Sequence, residues 1–351
     1  MSNVVTLNRP RIADAATRSA ALARCFAQHR RGEEDVFWLK ENAELLNILE
    51  CTGTPVGPGT LEAYEGFYAT ALQRLEFFPQ YYRFLLSLAI DLEELGLPGD
   101  AGERMVSFAA RQDLPAAELS DLQRAEARRL MIRRGIDPIG DPGLDDRLAA
   151  FASRTATFAL PNKKAAYELT HIVYYLSEYG RVTPKLPSEV VKSLHFAGLT
   201  AFIDQNADLL AEICIALVYM GEEPPALWAR WLMRETAAFA VETGEQVSVA
   251  DDYHEFFICN WFAACAGEPT FRKALSPERM NFTRAPRQIY PLREMSQALM
   301  MCDQRGGDWD VMRPQLAPQL SEATRETLQA ASESSQHFPA FFEGFSRAAR
   351  A

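Results

Sequence analysis

Apolar and polar positions along the chain recur with the spacing of helices, and glycine and proline interrupt that pattern at regular distances. A glycine followed within four residues by a proline occurs at Gly53 and Pro55, Gly96 and Pro98, Gly135 and Pro138, Gly180 and Pro184, Gly221 and Pro224, and Gly267 and Pro269. Glycine enters the left-handed conformation that ends a helix without a Cβ penalty, and a proline just beyond cannot continue the helix. Each pair therefore predicts a stop. The glycines lie 43, 39, 45, 41 and 46 residues apart, enough for two helices and two turns. A shorter break divides each interval, near Gly32, Pro79, Pro115, Pro161, Asn206 and Gly244. The pattern predicts six helical hairpins, with second helices near residues 33–52, 80–95, 116–134, 162–179, 206–220 and 251–266. Alternating β-branched runs bounded by turns are nearly absent, so the expected fold is all-α.

Six consecutive hairpins have two physical solutions. They close into an α/α toroid whose second helices line a centre, or they stack as an open, curved helical-repeat array. The last three of the second helices are apolar on most sides, as inner helices would be, whereas first helices such as "LPSEVVKSLHFAGLTAFID" keep a polar face. The third, within "RAEARRLMIRRG" (residues 124–135), fits poorly, because its arginines suit a solvated surface. After Gly267 the rhythm fails. Residues 1–267 read as the hairpin array and 268–351 as a helical cap packed on it, built from "PLREMSQALMMCDQ", "DWDVMRPQL" and "FPAFFEGFSRAAR".

Three of the second helices carry polar groups where a core is expected. In "YELTHIVYYLSEYG", Tyr167, His171, Tyr174 and Glu178 are spaced four, three and four apart on one stripe, with Glu168 three residues before the histidine. In "NADLLAEICIALVYMG", Asp208, Glu212, Ile215 and Tyr219 repeat that spacing. Asp208 also sits where a carboxylate caps a helix, a sufficient structural reason for it; Glu212 has no such reason. In "DDYHEFFICNWFAACAG", Tyr253 and Asn260 share a stripe, with His254 beside it and Asp251 and Asp252 at cap positions. A buried imidazole or amide left unpaired costs about 1–3 kcal/mol, so His254 and Asn260 need partners.

These three segments resemble the successive helices of uncharacterised bacterial all-α families in which an ELTH-type, a DLLAE-type and a YH-type helix recur in that order. The resemblance covers roughly residues 145–267. It implies helical hairpins with a shared polar cluster, and it implies no reaction.

Composition and charge narrow the functions. The chain has 351 residues, 48% of them hydrophobic, and can bury a large core. Its longest apolar run, "ICIALVYM", is far short of the ~20 residues that span a bilayer. A net charge of −11 works against binding nucleic acid, whose phosphates must be neutralised by Lys and Arg. Six cysteines without a C-x-x-C pair, mostly in apolar surroundings, read as reduced thiols and make the cytoplasm the expected location. The amino end reads as an ordinary first helix, having no apolar block before a small-residue cleavage site. No P-loop, dinucleotide fingerprint, nucleophile elbow or H-E-x-x-H pair is present. "DDYHE" has the outline of an aspartate-rich magnesium motif but begins a helix and lacks a second motif. "NAELL" (Asn42 to Leu46) echoes "NADLL" (Asn206 to Leu210).

The polar stripes are thus open to three readings: a hydrogen-bonded core network, a small-molecule or catalytic pocket, and a metal site of His171, His254 and one carboxylate. In the pocket reading His171 is the general acid or base, Glu168 or Glu178 orients it, His254 is a second catalytic candidate, and Tyr167, Tyr174, Asp208, Glu212, Tyr219, Tyr253 and Asn260 contact the ligand. The competing function is a helical-repeat scaffold gripping a protein partner. Cofactor, reaction and oligomeric state are not legible.

Overall fold

The structure, a computed structural model, describes residues 13–57 and 59–347. The expected first helix is described from Ala15; the part of that expectation falling on residues 1–12 lies outside the described residues. Helices dominate. The first pair is α1 (Ala15–Arg24), prolonged by a π-helical turn over Cys25–Arg30, and α2 (Val36–Cys51). There follow α3 (Glu65–Phe77) and α4 (Tyr82–Glu94), then α5 (Ala101–Arg111) and α6 (Asp121–Ile132). Next come α7 (Leu144–Ala152), the short α8 (Thr155–Phe158) and α9 (Lys163–Leu176), then α10 (Glu189–Ile203) and α11 (Ala207–Tyr219), and α12 (Ala226–Ala238) and α13 (Tyr253–Cys265). Among the described residues no helix is long and apolar enough to cross a membrane.

The stops work as the chain's chemistry requires. All six glycines, from Gly53 to Gly267, have positive φ. At the end of α11, Gly221 N–H donates to Val218 O and Glu222 N–H to Leu217 O, each at 2.9 Å, which closes carbonyls the helix would leave open. Several starts are capped by side chains: Asp35 accepts from Phe37 N, Ser120 from Gln123 N, Asn162 from Ala165 N and Asn206 from Leu209 N.

The second helices pack in succession. α2 lies against α4, α4 against α6, α6 against α9, α9 against α11 and α11 against α13, and α13 packs back on α2. One apolar cluster, with Trp38, Tyr64 and Leu86, fills the first three hairpins. A second, with Leu169, Ile213 and Phe257, runs from Phe26 and Leu45 through the later hairpins into the last helices.

The return of α13 to α2 is fastened by Arg30, whose side chain is fully buried. Its guanidinium donates to Asp251 Oδ1 and Oδ2 at 2.9 Å each, to Glu41 Oε2 at 3.1 Å and to the Met280 carbonyl at 2.6 Å. It also lies 4.7 Å from the centre of the Phe26 ring and 5.3 Å from that of Tyr253. Asp251 accepts in addition from Tyr253 N and Phe282 N, while Asp252, expected as a cap, accepts from Arg284 N outside the helix.

Two features depart from the sequence expectation. A two-stranded antiparallel ribbon joins β1 (Ala240–Thr243) to β2 (Met280–Thr283), with Ala240 opposite Thr283; four-residue strands are too short for alternation to register. And the arginines of α6 and of the turn that follows it are not a solvated face. Arg129 is buried, Arg133 pairs with Asp91 at 2.6 Å, Arg134 with Glu93 and Glu94 at 2.7 Å each, and Arg128 with Asp145. Beyond β2, α14 (Pro291–Met300), α15 (Trp309–Leu316), α16 (Glu322–Ser334) and α17 (Phe338–Ser346) complete the chain, with α16 and α17 against α10 and α16 also against α12.

Candidate functional site

Residues of α2, α4, α6, α9, α11 and α13 line a cavity of about 310 Å³, and each of these helices contributes polar side chains to its wall. α9 supplies Tyr167, His171 and Tyr174, α11 supplies Glu212, and α13 supplies His254 and Trp261. α2 adds Lys40, Glu44 and Asn47, α4 adds Arg83 and Ser87, and α6 adds Glu126 and Arg129.

Position along α11 decides the chemistry of its two carboxylates. Asn206 caps the helix, which frees Asp208 from the capping role that its place in the sequence indicated. Asp208 instead accepts a hydrogen bond from Tyr167 Oη and lies 3.3 Å from His254 Nε2. The other ring nitrogen, His254 Nδ1, is 2.8 Å from Glu44 Oε1. Burial works against charge on this imidazole, but Glu44, Asp208 and Glu212 outweigh it and raise its pKa to about 10. His254 is therefore an imidazolium held between two carboxylates.

One turn further along, Glu212 is only 3% exposed. Burial and the nearby charge of Asp208 push its pKa up to about 8, against the Thr170 hydroxyl, which donates to Oε2 at 2.6 Å, and the charge of His254. Across the cavity His171 Nε2 stands 3.9 Å from that same oxygen. Burial, then the positive charges of His254 and Arg129, lower the His171 pKa to about 4. The His171 ring stacks on Tyr175 with centroids 5.7 Å apart. At neutral pH the pair is a protonated carboxyl beside a neutral imidazole, an arrangement able to give and take a proton.

The remaining candidates are engaged within the fold or stand outside the cavity. Tyr174 is buried and donates from Oη to the Glu212 carbonyl at 2.7 Å. Glu168 does not line the cavity and makes no hydrogen bond or ion pair among the described residues. α9 ends at Leu176, and Glu178 and Tyr179 turn left-handed at φ 50° and 57°, so Glu178 leaves the stripe and is held through its backbone, its N–H donating to Tyr175 O and its carbonyl accepting from Arg181. Tyr219 stands behind the wall, its hydroxyl accepting from Trp261 Nε1 at 3.2 Å. Tyr253 packs on Phe26, Phe257 and Arg30. Asn260 spends its amide on the backbone, donating to Phe256 O and accepting from Phe271 N. Among the described residues no three His, Cys, Asp or Glu side chains are arranged to hold a metal ion.

Sequence reasoning passed over Lys40, Glu44, Asn47, Arg83, Glu126 and Arg129. A signal existed for α2, where Lys40, Glu44 and Asn47 are spaced four and three apart and the Asn42–Leu46 segment echoes α11. For α4 and α6 none did: Arg83 pairs with Glu118 at 2.9 Å and with Glu126, a contact between hairpins that no spacing encodes.

A helical protein with a cavity walled by histidine, carboxylate, arginine and tyrosine side chains is what fold and site define. The chain belongs to the family described as Domain of unknown function (DUF6902), whose model matches residues 1–348. No curated protein and no solved structure matches it.

Proposed function

We propose that the six second helices form an α/α toroid and that the protein binds a small molecule in the cavity at its centre, with His171 and Glu212 positioned to exchange a proton with it. The observation that carries this reading is convergence: helices from all six hairpins direct polar groups at one space of about 310 Å³, a size within the range of ligand sites. A buried network that existed only for stability would pair its members with one another. Here His171 keeps about a third of its side chain open, and the opening faces the cavity. His171, Glu212 and His254 come together at this space, which supports a pocket over a groove for a protein partner.

The test is a thermal-shift screen of the wild-type protein and His171→Phe against a library of small metabolites. Compounds that raise the wild-type melting temperature should fail to raise that of the variant, which itself melts at or above the wild-type temperature, because a site carries polar groups at some cost to stability. A variant melting many degrees lower, together with a wild type that no compound shifts, would assign the cluster to structure alone.

A further inference from the structure

We infer that the ligand is an organic monoanion, an aromatic or otherwise apolar body ending in one carboxylate, and that the carboxylate sits on Arg129; this rests on the cavity being a binding site. Arg129 is 5% exposed and lines the cavity, yet its Nε and Nη1 are buried without a hydrogen-bond partner. The carboxylates nearest in the fold are engaged elsewhere. Glu126 pairs with Arg83, and Asp91 with Arg133. What Arg129 has is aromatic: the Tyr179 ring centre lies 4.1 Å from its guanidinium carbon and that of Tyr175 5.7 Å. A ring face compensates a buried cation only in part, because it accepts none of the N–H groups. Asn47, 6% exposed and in the same wall, has its Nδ2 buried and unpaired as well. Two residues of the lining therefore carry donors that lack acceptors, and a ligand with oxygen acceptors and one negative charge supplies them.

The neighbourhood selects among anions. Glu126 is matched by Arg83, and Glu44 and Asp208 flank the His254 imidazolium, which leaves the buried Arg129 as a single positive charge to be matched by a single carboxylate. Lys40, the exposed cation of the lining, draws anions toward the site. The body of the ligand has an aromatic wall to meet: Tyr179 and Trp261 are parallel within 10° at 5.6 Å, and Tyr174 lies 5.0 Å from Trp261. Two successive non-glycine residues in the left-handed region, Glu178 and Tyr179, hold that ring between Arg129 and Trp261. Such backbone strain collects at binding sites.

The experiment is calorimetric titration of the full chain, wild type and Arg129→Met, with phenylacetate, indole-3-acetate, their primary amides and phenyl phosphate. At least one acid should bind saturably and at least tenfold tighter than its amide. Arg129→Met should lose at least tenfold of the affinity for the acid, lose less of that for the amide, and melt no lower than the wild type, since an unpaired buried charge has gone. Should the variant not fold, the ratio of acid to amide on the wild type decides alone. Equal binding of acid and amide, or an acid that binds Arg129→Met as well as the wild type, overturns the anion and leaves the pocket standing. Tighter binding of phenyl phosphate overturns the monocarboxylate. If nothing in this series binds while the metabolite screen finds ligands, the ligand class is wrong and the pocket is right; if that screen is empty too, both fall.

Discussion

His171 and Glu212 face each other across 3.9 Å, each held uncharged near neutrality, and with His254 they tie stability to pH. Glu212, raised from the ordinary 4.5 to about 8, favours the folded chain fully below pH 4.5 and loses that contribution as pH rises through 8. His254, raised from 6.5 to about 10, contributes fully below pH 6.5 and loses its share as pH rises through 10. His171 runs the other way: lowered to about 4, it contributes above pH 6.5 and the contribution is lost as pH falls through 4. Glu212→Gln imitates the protonated acid at every pH. Its melting temperature relative to wild type should therefore rise by several degrees between pH 5 and pH 9, measured by scanning calorimetry in matched buffers. A constant difference across that range would show that Glu212 does not titrate there.

At the scale of the element, two glycine stops separate backbone from packing. Gly180 and Gly221 share nearly the same conformation, φ 84° and 82°, but a Cβ on Gly180 would come within 2.5 Å of the Tyr219 ring while one on Gly221 meets nothing. Gly221→Ala should cost about 1–2 kcal/mol for the left-handed conformation alone. Gly180→Ala should cost clearly more, because the Tyr219 ring, and with it the Trp261 wall, must move; equilibrium denaturation of both variants measures the difference. These stops are also why the helices were legible in the sequence: a glycine that ends a helix does so through its own backbone, whatever surrounds it. The α9 and α11 stripes were legible for a similar reason, since a histidine or glutamate among Leu, Ile and Val stands out on a helix face. Arg83, Glu126 and Arg129 did not stand out. A charged residue amid other charged residues reads as solvent-facing, and only the packing of α4 against α6, and of α6 against α9, turns that face inward.

For the whole molecule, the decisive contact is the one made by Arg30. It joins the first hairpin to the segment entering the sixth, and it leaves little of either partner exposed. Arg30→Met would strand Asp251 in an apolar setting and take one of two arginines from Glu41, which keeps Arg31 at 2.6 Å. The expected cost is about 3–5 kcal/mol, the usual consequence of removing one partner from a buried pair. Arg30→Lys should recover only part of it, since an ammonium cannot present the two-pronged face that meets both Asp251 oxygens. Urea unfolding of the two variants checks both statements; a loss below about 1 kcal/mol for Arg30→Met would mean that α2 and α13 stay together without it.

That contact also sets a timetable for biosynthesis. Arg30 and Asp251 are 221 residues apart, so at about 5–20 residues per second a ribosome needs roughly 10–45 s after making the arginine before its partner exists. Throughout that interval the α2 flank that will receive α13 is finished but uncovered, with an arginine and a glutamate waiting in what will become a dry interior. The nascent chain must be kept from satisfying them with the wrong neighbour.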